Sequence, residues 1–221
     1  MTLEHAAVRE TLVKTTLKLM EKGGLEDVKA REVARLSGVS VGTIYNLYGS
    51  FDQLILAANS RIYGDLGALG RTRMAEIESR MGARIASGKL LDTPRNRMLE
   101  RLLGLGDTYV DFVEGNASRW AALLAFNRTR GINANDASQQ QLGELIDIVG
   151  SVLAEAPAWR TPAKRRLAAR ALWSAVHGIV TTNFFGGDDS SARERTQSLL
   201  RVLLTAVTDG AFAVEGDGQG R

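Results

Sequence analysis

Three side chains in one short run of this chain, VGTIYNLY, could do chemistry together, namely those of Thr43, Tyr45 and Asn46. The two hydroxyl groups suit phosphate oxygens, and the Asn46 amide can pair with N6 and N7 of adenine through two hydrogen bonds. This chemistry is binding rather than catalysis, and its object would be a nucleic acid. The run from Val41 to Tyr48 therefore predicts a helix whose outer face lies on something outside the protein.

The residues before that run predict the turn that positions it. Residues Ala30–Leu36 predict a first short helix, and Gly38 stands where a three- or four-residue turn between two helices favours left-handed backbone. Ser40 is expected to cap the second helix by accepting a hydrogen bond from the backbone N–H of Gly42 or Thr43. The seam between the two helices would consist of the small residue Ala34 with Val33, Val39 and Ile44.

The outer face of the second helix contains a residue that weakens it. Gly42 costs a helix about 1 kcal/mol relative to alanine, and a close approach to a phosphate backbone would compensate for this. The free N–H groups at the helix N-terminus also attract anions. On the preceding helix, Arg31 could reach guanine or a phosphate, while Lys29 and Arg35 could add salt-dependent attraction. The predicted DNA-binding residues are Lys29, Arg31, Ser40, Val41, Gly42, Thr43, Tyr45 and Asn46.

The composition excludes several classes of function. A net charge of +3 and a pI near 9.4 lean weakly towards a polyanionic partner. The absence of cysteine excludes disulfides, thiolate metal sites and cysteine nucleophiles, and two histidines are too few for a His-rich zinc site. Motifs for nucleotide loops, metalloproteases and catalytic triads are also missing. The sequence predicts no enzyme, no catalytic residue, no cofactor and no metal.

The pattern of apolar residues predicts an all-α fold with about nine helices. Gly23-Gly24 ends the first helix, and Ser50 caps a fourth helix that begins at Phe51. Thr93-Pro94 and Thr161-Pro162 each combine a capping residue with a proline in the first turn, and each predicts a helix start.

The same pattern divides the chain into three parts. Residues 1–50 contain the helix-turn-helix, residues 51–212 form a larger helical domain, and residues 213–221 form a disordered tail. The polar stretch 133–138 predicts a further flexible segment. No run of 18 apolar residues and no signal peptide is found, so we expect a cytoplasmic protein without a membrane partner.

Residues 8–58 resemble the DNA-binding region of TetR-family transcriptional regulators. The resemblance is carried by Gly24, Val33-Ala34, Gly38-Val39-Ser40, Gly42-Thr43-Ile44-Tyr45, Tyr48, Ser50 and Leu54. The rest of the chain is similar only in having a helical pattern of suitable length. The resemblance implies a homodimer whose three N-terminal helices bind operator DNA and whose larger domain holds a small-molecule pocket. Residues 1–50 would then be the DNA-binding domain, and residues 51–212 the effector-binding and dimerisation domain. It also implies that the DNA-facing residues include Thr43, Tyr45 and Asn46, with Arg31 as a candidate base contact.

Three positions depart from the pattern of that family. Phe51 occupies a place that is commonly a lysine gripping a phosphate, and Leu47 a place often held by a polar or aromatic residue. Lys29 stands where a threonine often caps the second helix. Tyr48 matches a usually aromatic position that packs the small domain. The departures at Phe51, Leu47 and Lys29 change the expected phosphate contacts but leave the docking geometry unchanged.

Aromatic residues at helical spacing make up the candidate effector pocket, although such residues more often fill a core. The candidates are Tyr109, Phe112, Trp120, Phe126, Trp173 and His177. For His177 the alternatives are a core or interface histidine bonded to a neighbour, and a ligand contact or pH sensor. The basic run RTPAKRRLAAR is interpreted as a solvated face.

By the same resemblance, the last two long helices, residues 161–185 and 191–211, would pack against their copies as a four-helix interface. The candidate interface residues are Val176, Ile179, Val180, Leu199, Leu203 and Val207.

The sequence thus predicts a transcriptional regulator, with repression as the leading interpretation. It would bind a palindromic double-stranded DNA operator as a homodimer and be released by a small, mainly apolar effector. Two reading helices about 34 Å apart can enter successive major grooves. The alternatives are an activator, a regulator without an effector and, from a different class, a helical protein-interaction module without DNA binding.

Overall fold

The computed structural model describes residues 3–130, 137–184 and 191–213, and within these ranges the chain is helical and contains no strand. Three short 3-10 helices accompany nine α-helices there. The α-helices are α1 Leu3–Gly23, α2 Ala30–Ser37, α3 Val41–Tyr48, α4 Phe51–Ala86, α5 Pro94–Gly115, α6 Ala117–Arg130, α7 Ala137–Val152, α8 Pro162–Phe184 and α9 Ala192–Ala213. The predicted all-α fold class is confirmed.

The helix starts follow local capping signals. The Ser50 hydroxyl accepts the Gln53 N–H at 3.2 Å, and the Thr93 hydroxyl accepts the Asn96 N–H at 3.1 Å. The Thr161 hydroxyl accepts the Lys164 N–H at 3.3 Å. Each of these oxygens satisfies one of the N–H groups that a helix leaves unpaired in its first turn. The predicted flexible stretch 133–138 and the predicted tail fall mostly outside the described residues.

The chain divides into two compact units, Met1–Asp65 with Gly115–Leu142 and Leu66–Glu114 with Gly143–Arg221. The boundary lies inside α4, so this helix supplies its first 15 residues to the first unit and the remainder to the second. These units divide the chain at positions other than those of the predicted domains, whose boundaries stay a prediction. The first unit also contains α6, which the sequence had placed with the larger domain.

The core of the first unit packs α1 against α2, α3 and α6. Leu12, Met20, Ile44 and Trp120 are among its completely buried side chains. The Trp120 ring meets the Tyr63 ring edge-on, with 5.9 Å between centroids. Such an edge-to-face pair adds to the stabilisation that comes from burial alone.

In the second unit, α8 and α9 pack against each other, and ion pairs fasten α9 to α5. Arg193 binds both Asp111 and Glu114, and Arg95 at the start of α5 binds Asp209 near the end of α9. These pairs are exposed enough to contribute little stability individually. They join the start of each helix to the end of the other, so α5 and α9 are linked in antiparallel order.

Candidate nucleic-acid interface

Helix α3 is fixed at both ends by its own sequence. At its start, the Ser40 Oγ accepts the Thr43 N–H at 3.1 Å and lies 2.9 Å from the Thr43 Oγ1. At its end, Gly49 has a φ of 77° and its N–H donates to the Tyr45 carbonyl at 2.8 Å. The bounds Val41–Tyr48 and the Ser40 cap are therefore as predicted.

The turn before α3 has the predicted glycine. Gly38 has a φ of 68° and a ψ of 27°, in the left-handed region that strains other residues. The Val39 N–H, one residue later, donates to the Ala34 carbonyl at 3.0 Å. Val33 and Ile44 are completely buried. The inner side of α3 is thus occupied by its own subunit, and only its outer side is open.

The open side of α3 presents the predicted side chains. Tyr45 is 47% exposed, Gly42 and Asn46 are exposed, and Thr43 and Val41 are partly exposed. A Cβ atom added at Gly42 would meet only the Ser40 Oγ at 3.5 Å, which is ordinary contact. The fold therefore does not require glycine at position 42.

Two basic side chains border this face without a carboxylate partner in the described part of the chain. Lys29 and Arg31 are exposed, and Lys29 precedes α2 without capping it through its side chain. Arg35 differs, because its guanidinium binds Glu32 through two hydrogen bonds of 2.8 Å and 2.6 Å. Its charge is partly neutralised, so Lys29 and Arg31 are the stronger candidates for attracting a polyanion.

Sequence reasoning missed one residue beside α3. Arg9 of α1 donates from its guanidinium to the Leu47 carbonyl, and its Cζ lies 4.6 Å from the centroid of the Tyr48 ring. The Tyr48 hydroxyl donates to the Arg9 carbonyl at 3.1 Å. Burial raises the pKa of Tyr48, against a smaller lowering by Arg9. No periodicity places Arg9 there, since the contact joins residues that are 39 positions apart.

A second candidate site lies within the second unit. It is a cavity of about 70 Å³ whose walls come from α4, α5, α7, α8 and α9. None of its described lining residues carries a charge. The two hydroxyl groups of its wall are already engaged, because the Thr108 hydroxyl donates to the Gly104 carbonyl at 2.8 Å and the Tyr109 hydroxyl lies 2.7 Å from the His177 Nδ1. The cavity is therefore suited to an uncharged, apolar molecule.

The six predicted pocket residues separate into three groups. Tyr109 and Trp173 line the cavity, with 5.3 Å between their ring centroids. His177 stacks on both rings but is not part of the wall. Phe112 is buried nearby in the chain without lining it, whereas Trp120 and Phe126 belong to the core of the first unit. Glycines supply wall positions that the aromatic pattern did not indicate, namely Gly70 and Gly106.

The six predicted interface residues differ in exposure. Leu199 is 41% exposed, while Val176, Ile179, Leu203 and Val207 are partly exposed. Val176 also lines the cavity. Val180 is completely buried in its own subunit, so it has no surface to offer to a partner. Two more exposed apolar residues on the same helices were not predicted, Leu167 and Val202, each 70% exposed.

Comparison with known proteins decides the family. Residues 12–58 match the model of the bacterial regulatory proteins of the tetR family, and residues 102–207 match a tetracyclin repressor-like C-terminal domain. The chain belongs to the TetR family of transcriptional regulators. It is therefore a transcriptional regulator of that family with an N-terminal DNA-binding domain.

Individual relatives agree with this assignment. The chain is 36% identical over 72 residues to the HTH-type transcriptional regulator BetI 1 of Chromohalobacter salexigens, a match that covers 32% of this chain and only 36% of that relative. A TetR-family regulator from Streptomyces coelicolor has the same fold, with a TM-score of 0.63, 18% identity and coverage of 98% of this chain and 87% of the other. RolR, solved with its ligand resorcinol, gives a TM-score of 0.62 and 13% identity, covering 99% and 97% of the two chains. At such identities the solved structures show the fold alone.

Among the described helices of this TetR-family chain, none combines the length and the apolar character that a transmembrane helix requires.

The pair of Tyr109 and His177 generates a prediction about pH. Burial lowers the pKa of His177 below its ordinary value. As the pH falls, the unfolded chain is therefore protonated at this residue before the folded chain is. Stability should therefore fall as pH decreases from about 7 through the ordinary histidine pKa. The His177→Gln variant, which keeps a polar side chain, should lose part of this decrease in urea unfolding measured between pH 7 and pH 5. The wild type and His177→Gln have the same carboxylates, so titration of those groups affects both proteins equally. An equal loss of stability in the two would show that His177 does not cause the pH dependence.

Proposed function

We propose that this TetR-family protein is a repressor that binds a palindromic operator as a homodimer and is released by a small, uncharged, mainly apolar effector. The observation that carries the proposal is the open face of α3, where exposed hydrogen-bonding side chains surround a glycine that the fold does not require. Each part of the proposal rests on a separate feature of the chain.

DNA binding is supported by the chemistry of the α3 face. Thr43 and Tyr45 offer hydroxyls to phosphate oxygens, and Asn46 offers an amide to an adenine edge. Gly42 allows the backbone of the first turn to approach a phosphate, and the unpaired N–H groups of that turn favour the negative charge. Lys29 and Arg31 add attraction that does not depend on sequence and weakens with salt.

Dimerisation is supported by a requirement of DNA reading and by the surface of α8 and α9. One eight-residue helix reads too few base pairs for an operator, and two copies one turn of the double helix apart, about 34 Å, solve this problem. Leu167, Leu199 and Val202 expose large apolar side chains on α8 and α9, as expected of a face covered by a second copy. Ile179, Leu203 and Val207 would extend the interface, whereas the buried Val180 would not.

An uncharged effector is supported by the wall of the cavity. A carboxylate or ammonium group placed there would lose its hydration and find no described charge to pair with, which is strongly unfavourable. α4 supplies Leu66 and Gly70 to this wall, and the same helix begins three residues after α3 ends. A ligand that favours one position of α4 by about 1 to 3 kcal/mol would weaken operator binding by roughly 5- to 150-fold.

Two variants test DNA binding while leaving the fold intact. Gly42→Ala should keep or raise the melting temperature, because alanine favours a helix by up to about 1 kcal/mol, and yet weaken binding to DNA from upstream of the gene. Tyr45→Phe removes one exposed hydroxyl and should weaken the same binding with the melting temperature unchanged. Gel shifts and thermal melts on the same preparations measure both quantities.

Gln53→Ala serves as the matched control, because Gln53 is exposed just beyond α3 and its side chain is outside the proposed face. It should bind DNA as the wild type does. If the wild type showed no salt-sensitive DNA binding, or if Gly42→Ala and Tyr45→Phe bound as tightly as the control, the proposed reading face would be wrong.

The cavity is tested with a pair of probes of similar shape, toluene and benzoate. Toluene should raise the melting temperature and weaken DNA binding, while benzoate at the same concentration should do neither. A Cβ at Gly70 would lie 3.9 Å from the Leu105 Cδ2, so Gly70→Ala should be tolerated. Gly70→Val adds two further methyl groups towards the cavity and should abolish both toluene effects. An equal response to benzoate, or a full toluene response in Gly70→Val, would contradict the uncharged effector.

A further inference from the structure

One cation beside the reading helix has no carboxylate partner among the described residues. Arg9 lies on the second turn of α1, partly buried, and its contacts go to the last two residues of α3. The guanidinium donates to the Leu47 carbonyl and lies over the Tyr48 ring, and the Tyr48 hydroxyl returns a hydrogen bond to the Arg9 carbonyl at 3.1 Å. We call these three contacts the Arg9 clasp.

The clasp acts where a short helix is weakest. The last four carbonyls of a helix have no partner within it, and a positive charge at this end is favoured by the helix dipole. At the end of α3, the Gly49 N–H donates to the Tyr45 carbonyl and the Arg9 guanidinium donates to the Leu47 carbonyl. The planar guanidinium over an aromatic ring adds a cation–π attraction that an ammonium group would form less well.

These contacts assign Arg9 a role different from that of Lys29 and Arg31. Those two side chains extend into solvent, whereas the guanidinium of Arg9 is directed to a backbone carbonyl and a ring of its own subunit. We propose that Arg9 is a positioning residue, which sets the orientation of α3 for base reading and does not itself bind phosphate. This inference rests on the proposed function, because it assumes that α3 reads DNA.

The length of α3 explains why orientation matters. Eight residues span only about 12 Å, and the buried Ile44 near the middle would act as a pivot if the C-terminal end were released. Rotation about that point would move Tyr45 and Asn46, and hydrogen bonds to base edges weaken steeply with distance and angle. Contacts to phosphate, which depend mainly on charge, would change less.

The experiment compares two variants that each remove one positive charge from α1. Arg9→Met keeps an apolar stem but removes the two guanidinium contacts of the clasp, to the Leu47 carbonyl and the Tyr48 ring. Lys18→Met is the control, because Lys18 is exposed on the same helix and forms no ion pair in the described residues. For both, dissociation constants for operator DNA and for non-operator DNA are measured over a range of salt concentrations. Melting temperatures ensure that all measurements are made on folded protein.

Arg9→Met should lower operator affinity by roughly 5- to 150-fold, the discrimination that one good base contact carries. Its affinity for non-operator DNA and the salt dependence of operator binding should match those of Lys18→Met. Arg9→Lys, which keeps the charge but not the planar fork, should resemble Arg9→Met rather than the wild type. This result would show that the planar guanidinium, and not the positive charge alone, is needed for operator binding.

Two outcomes would overturn the inference. If Arg9→Met reduced the salt slope by about 1 and weakened operator and non-operator DNA alike, Arg9 would be a phosphate contact. If it lowered only the melting temperature and left the operator preference unchanged, Arg9 would merely stabilise the fold.

Hydrogen exchange provides a measurement without DNA. The Gly49 amide, bonded to the Tyr45 carbonyl, should exchange faster in Arg9→Met than in Lys18→Met, because the end of α3 is released. Equal exchange rates in the two variants would show that the Arg9 side chain does not hold the end of α3, even if the protein binds DNA. Faster exchange in a protein whose wild type binds no DNA would instead overturn the proposed function and leave the clasp as a structural feature.

Discussion

An eight-residue helix is too short to be stable in water by itself, because the cost of forming its first turn is not recovered over so few hydrogen bonds. In this chain α3 is stabilised from three directions. Ser40 caps its start, the Arg9 clasp and Gly49 close its end, and Ile44 buries its inner side against α1 and α2. With these three sides occupied, the fourth is left to an external partner. The proposed function depends on that arrangement.

The two sites of the chain use opposite electrostatics. The α3 face and its border contain hydroxyls, an amide and basic residues that remain without carboxylate partners in the described residues, as binding to a polyanion requires. The described residues that line the cavity of the second unit carry no charge, and the hydroxyls of Thr108 and Tyr109 are already hydrogen-bonded. A charged ligand suits the first site and an apolar one the second. α4 contributes residues to both units of the chain, so the proposed effector would act through this helix.

Local signals explain why much of the fold could be predicted from the sequence. A left-handed turn, an N-cap and a proline in a first turn each involve residues within four positions, so Gly38, Ser40 and Thr93-Pro94 indicated helix ends that the structure confirms. The TetR-like run of residues indicated the family in the same way, since its turn chemistry is local.

Long-range packing explains what could not be predicted. The aromatic residues of α5 and α6 have the same helical spacing, yet Tyr109 reaches the cavity and Trp120 fills the core of the other unit, because periodicity does not say which neighbour a helix packs against. Burial of Val180 depends likewise on the packing of its own subunit. Arg9 was missed for a similar reason, since only the folded chain brings α1 to the end of α3.

The central claim is that α3 lies in the major groove of DNA and is presented twice by a symmetric pair. Affinity cleavage tests it directly, since the chain has no cysteine of its own and Leu36→Cys gives one attachment point for an iron chelate on exposed α2, next to α3. The account predicts two clusters of cuts in bound operator DNA, separated by about ten base pairs, one turn of the double helix. Cuts spread evenly along the bound DNA, or a single cluster without a symmetric copy, would contradict it.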